Sequence, residues 1–163
     1  MELPKLTDVP MTCTHVCYLA YDLDKSSETL AALGAQEVVR TEFPGGVSIM
    51  SALAASAPRF TNPEAAGLVP EINGLMFELI VPTGEGTLYG DHLARNGPGL
   101  HHIGVKVPDF DQGFESFTSA GCTVLMKPQT RSVDVPDGTK RDLKMCFLDC
   151  APIGFPTIEL VSL

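Results

Sequence analysis

The chain reads His15-Val16-Cys17-Tyr18-Leu19-Ala20-Tyr21-Asp22-Leu23 near its start and His102-Ile103-Gly104-Val105-Lys106-Val107-Pro108-Asp109-Phe110 past its middle, and the two runs follow one pattern. Each opens on a His and places an Asp seven residues later. A Gly follows nineteen residues after each His, at Gly34 and Gly121. Each half then closes on a strand-like run with one acid among apolar neighbours, Leu75-Met76-Phe77-Glu78-Leu79-Ile80 and Thr157-Ile158-Glu159-Leu160-Val161. Both halves therefore read strand, helix, small-residue stop, strands, acid-bearing strand. The repeat predicts an α+β protein built from two βαβββ modules.

Local signals agree with that outline. The β-branched and aromatic content of 12–21 predicts a strand. Asp24 is a candidate N-cap for the helix that follows, Leu30 and Leu33 give it an apolar side, and Gly34 is placed to end it. In the second copy Asp109 or Asp111 caps, Phe114 and Phe117 form the apolar stripe, and Gly121 stops the helix. Further strands are expected over 36–40, 46–53 and 75–81, then over 122–127, 142–149 and 156–162. Residues 1–11 read as a loose lead-in, and Pro136-Asp137-Gly138 as a hairpin turn. The Pro-containing stretch 54–74 is longer than an ordinary connection and reads as a lid or an ordered excursion over a pocket. The boundaries are about 12–82 for module 1, 83–98 for a linker with a short helix around 87–94, and 99–163 for module 2, all within one domain, 1–163.

Bulk composition narrows the function. With 11 basic against 20 acidic residues the formal charge is −9, which disfavours nucleic acid as a partner. No apolar run approaches the ~20 residues of a membrane helix, and the first residues lack a basic-then-apolar export signal. Five cysteines, an odd number without Cys-x-x-Cys spacing, suit a reducing compartment. The expectation is a cytoplasmic, reduced protein.

Alternation along a strand puts His15, Cys13 and Cys17 on one face, and His102, Gly104 and Lys106 on one face in the second copy. Glu78 shares a face with Met76 and Ile80, and Glu159 with Thr157 and Val161. An ionised carboxylate in such company is costly to bury unless something positive meets it. A lone His or a lone Glu in a strand is usually structural or solvated, but two of each at matched places call for a common cause. A divalent ion held by His15, Glu78, His102 and Glu159 provides one, since it neutralises both acids and uses neutral imidazoles. Mixed nitrogen and carboxylate ligation suits Ni2+, Co2+ or Mn2+, with Zn2+ as a further option.

The repeat selects His102 over His101, because only His102 aligns with His15. His101 then faces the other way as a structural residue, and His92 has no counterpart. Cys17 shares the face of His15 and is a weak pocket candidate, as is Ser48, which lacks the partners of a nucleophile motif. Gly84-Glu85-Gly86 is not a phosphate loop, since no Lys-Ser/Thr follows. Lys127, Arg131, Lys140, Arg141 and Lys144 crowd five of the eleven basic residues into eighteen positions. They could receive an anionic substrate or form a solvated hairpin.

The doubled pattern resembles the vicinal oxygen chelate superfamily, which includes glyoxalases, bleomycin-resistance proteins and extradiol dioxygenases, over nearly all of 12–162. Within it the chain is most similar to the methylmalonyl-CoA epimerases, through His15-Val16-Cys17-Tyr18, Glu78-Leu79-Ile80-Val81-Pro82, Gly99-Leu100-His101-His102-Ile103 and Ile158-Glu159-Leu160. The resemblance implies that the modules pair into a curved, half-open sheet around a metal-binding cleft, with one divalent ion on His15, Glu78, His102 and Glu159. It implies an isomerase, epimerase or lyase that abstracts a proton α to the carbonyl of a small oxygenated substrate and stabilises a metal-bound enolate. Glu159 is then the first choice of base, with Glu78 serving the opposite face. A homodimer is usual in the superfamily. The chain departs from the epimerases at Ser48-Ile49-Met50, where they carry a second, non-ligand Glu before Ile-Met. Glyoxalase I-type lyase chemistry is one alternative, since it shares the His/Glu/His/Glu set. An iron dioxygenase would leave Glu78 surplus, and a metal-free, resistance-type binding protein would not need the four ligands.

Overall fold

The computed structural model describes residues 9–43, 46–53, 76–134 and 139–163. The chain divides into two compact units, His15–His101 as one and Met1–Thr14 with His102–Leu163 as the other. The expected excursion at 54–74 and the turn at Pro136-Asp137-Gly138 lie outside the described residues. The fold class is α+β, and the two βαβββ modules foreseen from the repeat are both present.

The first module runs β1 (Thr12–Leu19), α1 (Leu23–Ala32), β2 (Ala35–Phe43), β3 (Gly46–Leu53) and β4 (Met76–Pro82). Its strands lie in the order β2-β3-β4-β1, with β4 parallel to β1 and antiparallel to β3. The helix begins earlier than the sequence suggests. Asp22, in extended backbone at φ −137°, is the N-cap and accepts from the Lys25 N–H at 3.0 Å, so Asp24 falls inside the first turn. There it suits the helix dipole and meets Arg40 Nη2 at 2.8 Å. The expected apolar side is also shifted. Leu33 is 69% exposed, and the half-buried stripe is Leu23, Ser26, Ser27 and Leu30. That stripe recurs at helical spacing on a helix packed against β2, β3 and β4. Gly34, at φ +92°, follows the helix in backbone that a side chain rarely adopts.

A second helix of this unit, α2 (Leu88–Asn96), occupies the expected place between the modules. Its Tyr89 and Leu93 pack with Phe43 over buried Cys17, Leu19 and Ile80.

The second module repeats the plan with β5 (Gly99–Lys106), α3 (Phe110–Ser119), β6 (Thr123–Asp134), β7 (Lys140–Asp149) and β8 (Thr157–Ser162). The strand order is β5-β8-β7-β6, again with the last strand parallel to the first. Asp109 is the cap, accepting from the Gln112 N–H at 3.0 Å. α3 turns Phe110, Gly113 and Phe117 inward. A Cβ on Gly113 would come within 3.0 Å of Val107 Cγ2, so glycine sets how closely this helix approaches. Phe110 and Phe117 enter a core with Val105, Val107, Cys146, Leu148, Ile158 and Leu160. Each large side chain in it contributes about 1.5–3 kcal/mol through burial. Val9 belongs to the same core, with Met11 packed against it. The lead-in expected to be loose is therefore anchored at its end, because Val9 and Met11 supply apolar surface that the helix and sheet leave uncovered.

Candidate metal centre

Register builds the same corner in both modules. In the first, β1 and β4 pair His15 with Met76 and Cys17 with Glu78. In the second, β5 and β8 pair His102 with Thr157 and Gly104 with Glu159. Each acid therefore stands opposite the residue two places beyond its His, and opposed residues project to one face. The ion-pair geometry repeats as well. His15 Nε2 lies 3.5 Å from Glu78 Oε2, and His102 Nε2 lies 3.5 Å from Glu159 Oε2.

These pairs sit away from water. The side chains of His15 and Glu78 are 11% and 18% exposed, and those of His102 and Glu159 are 0% and 12% exposed. A charge-assisted hydrogen bond prefers about 2.7–2.9 Å, so 3.5 Å is long for one. It is close to the ~3.4 Å between two ligand atoms each ~2.1 Å from a tetrahedral ion. Each pair thus has the donor chemistry and spacing of two neighbouring ligands. His102 is also fixed in orientation, because the Phe147 ring meets it edge-on at 5.0 Å between centroids. Phe147 stands opposite Glu159 in the β7–β8 register, so one aromatic side chain borders both members of the pair.

The other candidates fall nearby. Cys17 is fully buried opposite Glu78, whereas Cys13 is exposed. Ser48 is buried at 6% exposure and stands opposite Ile80, on the face that Met50 shares with Glu78. His101 is buried, with its ring 5.1 Å from Tyr89 and 4.7 Å from His92. His92 is half-buried in the same aromatic group, and burial followed by the charge of Arg95 lowers its pKa below the ordinary 6.5. The Cys146 thiol is pushed up to about 12 by burial and then by Glu159, so it stays protonated near neutrality.

The basic cluster divides between two faces, which composition does not reveal. Lys144 pairs with Asp111 Oδ1 at 2.6 Å and lies 4.7 Å from the Phe110 ring centroid, on the helix side. Alternation along β7 places Arg141, Leu143, Met145 and Phe147 on the opposite face, and Arg131 stands opposite Leu143. Through Phe147 this is the face of Glu159. Two arginines therefore share a sheet face with the second His–Glu pair, Arg141 being about 20 Å along the strand from Phe147 at ~3.3 Å per residue.

No family model matches the chain, and no curated protein matches it in sequence. Solved structures do. A variant of Streptomyces coelicolor methylmalonyl-CoA epimerase in complex with 2-nitronate-propionyl-CoA is 22% identical, with 92% of this chain and 95% of that chain covered at a TM-score of 0.64. A methylmalonyl-CoA epimerase in complex with methylmalonyl-CoA and NH4+ is 22% identical, covers 92% of each chain and has a TM-score of 0.66. The epimerase from Mycobacterium tuberculosis is 20% identical, covers 92% of this chain and 86% of that chain, and has a TM-score of 0.61. The chain has the fold of these epimerases, a vicinal oxygen chelate fold. Among the described residues no helix is long and apolar enough to cross a membrane.

Proposed function

We propose, from a fold shared with methylmalonyl-CoA epimerases and from two matched His–Glu pairs, that this chain is a divalent-metal-dependent isomerase or lyase. It removes a proton α to a carbonyl. The observation that carries the reading is the duplicated corner, with the same register offset and the same 3.5 Å Nε2–Oε2 separation in both modules. His15, Glu78, His102 and Glu159 would hold the ion, which supplies Lewis-acid stabilisation of the charge developing on a carbonyl oxygen. Ni2+, Co2+, Zn2+ and Mn2+ all suit this donor set.

The remaining work falls to the chain. Glu159 is the proposed base: Oε2 is turned toward His102, and Oε1 takes the substrate proton. Phe147 holds the imidazole in place and keeps water from the carboxylate, which favours proton transfer over hydration of the base. Glu78, in the matched position of the first module, serves the other face. Ser48 stands where the related epimerases carry a second Glu, and a hydroxyl is a poor base near neutrality. The same carboxylate that takes the proton must then return it, or Glu78 must do so. The replacement of that Glu by Ser48, together with Glu78, also favours a second reading, a lyase of glyoxalase I type.

Several solved relatives are in complex with coenzyme A thioesters. A carbonyl substrate with an anionic tail is consistent with two arginines on the face of Glu159. We place the protein in the cytosol as a homodimer, on its cysteine usage and on the habit of the superfamily.

The test is solvent exchange. Metal-loaded protein is incubated with methylmalonyl-CoA in deuterated water, and the α-proton is followed by NMR. Wild type should exchange it, and Glu159→Gln should be slower by about 10²–10⁴-fold, the usual weight of a general base. Unchanged exchange in Glu159→Gln removes that residue as base. A native protein that refuses all four ions and exchanges nothing is a binding protein on this fold.

A further inference from the structure

The second unit holds a pair of thiols that the His–Glu chemistry does not use. Cys122 precedes β6 and Cys150 follows β7, so they stand one step beyond the Thr123–Asp149 register pair and face each other at the end of that ladder. Opposed residues on antiparallel neighbours have Cα atoms about 4.5–5.5 Å apart, within the span a disulfide bridges. The side chains are already together, with Cys122 Sγ donating to Cys150 Sγ at 2.7 Å. Both are buried, at 5% and 0% exposure.

The backbone around them is fixed. The Cys122 N–H donates to the Phe117 carbonyl at 3.1 Å, and the Cys150 carbonyl accepts from the Ile153 and Phe155 N–H groups, each at 3.0 Å. Oxidation would therefore replace a contact by a bond without moving either strand. The third thiol of this core, Cys146, lies within β7 opposite Leu160 and has no such counterpart on β6.

We propose that Cys122 and Cys150 form an oxidation site, closed to an intrachain disulfide by a small hydroperoxide. Cys122, the slightly more exposed of the two, reacts first. Its sulfur attacks one peroxide oxygen, the O–O bond breaks, and the departing oxygen takes the thiol proton. Cys122 is then a sulfenic acid. Cys150 Sγ attacks Cys122 Sγ, the S–O bond breaks, and water leaves with the second thiol proton. Two thiols lose two electrons in total, and one hydrogen peroxide becomes two waters. Burial raises the pKa of both thiols, so the reaction is slow near neutrality and quickens as pH rises. The site is independent of the metal reading, since neither thiol belongs to a His–Glu pair.

The experiment treats the full chain with hydrogen peroxide, blocks remaining thiols with iodoacetamide under denaturing conditions, and maps the peptides by mass spectrometry. The expected product is one Cys122–Cys150 link per chain, a mass lower by two hydrogens, and reversal by dithiothreitol. Its thermal midpoint should rise by about 5–10 °C, and the rise should vanish in Cys122→Ser. The wild-type map decides the matter even if that variant folds poorly. All five thiols still alkylated by iodoacetamide, after a peroxide dose that oxidises the thiols of a parallel unfolded sample, would overturn the proposal. So would a link to Cys146, or Cys122 carried to sulfinic acid without a link.

Discussion

Glu159 stands across from Gly104, two residues past His102, and its Oε2 lies 3.5 Å from His102 Nε2 with the imidazole wholly buried. The same offset and the same 3.5 Å separation recur for Glu78, Cys17 and His15 in the first module, where the imidazole is 11% exposed. A diagonal His–Glu pair on parallel neighbours is a small geometric device, and the chain builds it twice. Removing one member of a pair leaves the other buried beside an apolar face, which is costly for a carboxylate.

Metal content is the direct consequence. On the proposed reading, native protein should carry about one divalent ion per chain. His102→Ala and Glu159→Ala should each lower that ratio at least tenfold, read by elemental mass spectrometry after gel filtration. His101→Gln should retain the ion, since His101 packs against Tyr89 and His92. Loss of metal in His101→Gln but not in His102→Ala would invert the assignment.

Arg131 and Arg141 give a second outcome. Their shared face with Glu159 matters only if the substrate carries negative charge far from its carbonyl. Arg131→Gln with Arg141→Gln should raise KM for an anionic-tailed thioester by about tenfold or more, from the loss of two charge-assisted contacts, with kcat little changed. A truncated, uncharged thioester should show no difference between the proteins. Salt should weaken binding of the charged substrate in wild type more than in the double variant. Equal effects on both substrates would mean a general structural role for the hairpin.

The repeat carried most of the architecture into view, because His, Asp, Gly and Glu recur at intervals that strands and helices impose. Alignment with His15 singles out His102, which forms the second His–Glu pair. Other features depend on events that spacing does not encode. Asp22 and Asp24 are equally suited to cap a helix, and only the backbone turn after Leu19 selects Asp22. The facing of Arg131 could not be counted from Thr123, since irregularities between Val124 and Met126 and between Met126 and Gln129 break the alternation of β6. Cys122 and Cys150, 28 residues apart, meet only once the β6–β7 register is set. The role of Val9 depends on which surface the second module leaves uncovered.

His92 makes stability depend on pH. Burial, and then the charge of Arg95, hold its folded pKa below the ordinary 6.5. The unfolded chain therefore binds this proton more readily, and stability rises with pH in that region. The contribution is present above 6.5 and is lost as pH falls through the folded value. In urea unfolding, the midpoint should fall between pH of about 7.5 and about 5 by more in wild type than in His92→Gln. The comparison cancels the titration of groups common to both proteins. Parallel curves would show that His92 is as free to charge in the folded protein as in the unfolded one.

Gly90 tests how α2 is held over the first sheet. The N-cap Thr87 Oγ1 accepts from the Gly90 N–H at 2.9 Å and itself donates to the Gly84 carbonyl at 3.3 Å. A Cβ at Gly90 would lie 2.0 Å from that carbonyl oxygen and 3.0 Å from Thr87 Oγ1. Helix propensity alone would make Gly90→Ala stabilising by about 0.5–1 kcal/mol. The clash is with backbone, which no rotamer relieves, so the expected outcome has the opposite sign, a loss of about 1–3 kcal/mol. Gly84→Ala meets nothing within 4 Å and should change stability by less than about 0.5 kcal/mol. Urea unfolding followed by circular dichroism separates the two. A more stable Gly90→Ala would mean that the 84–87 turn yields freely, and that α2 is seated by Tyr89 and Leu93 rather than by its capped end.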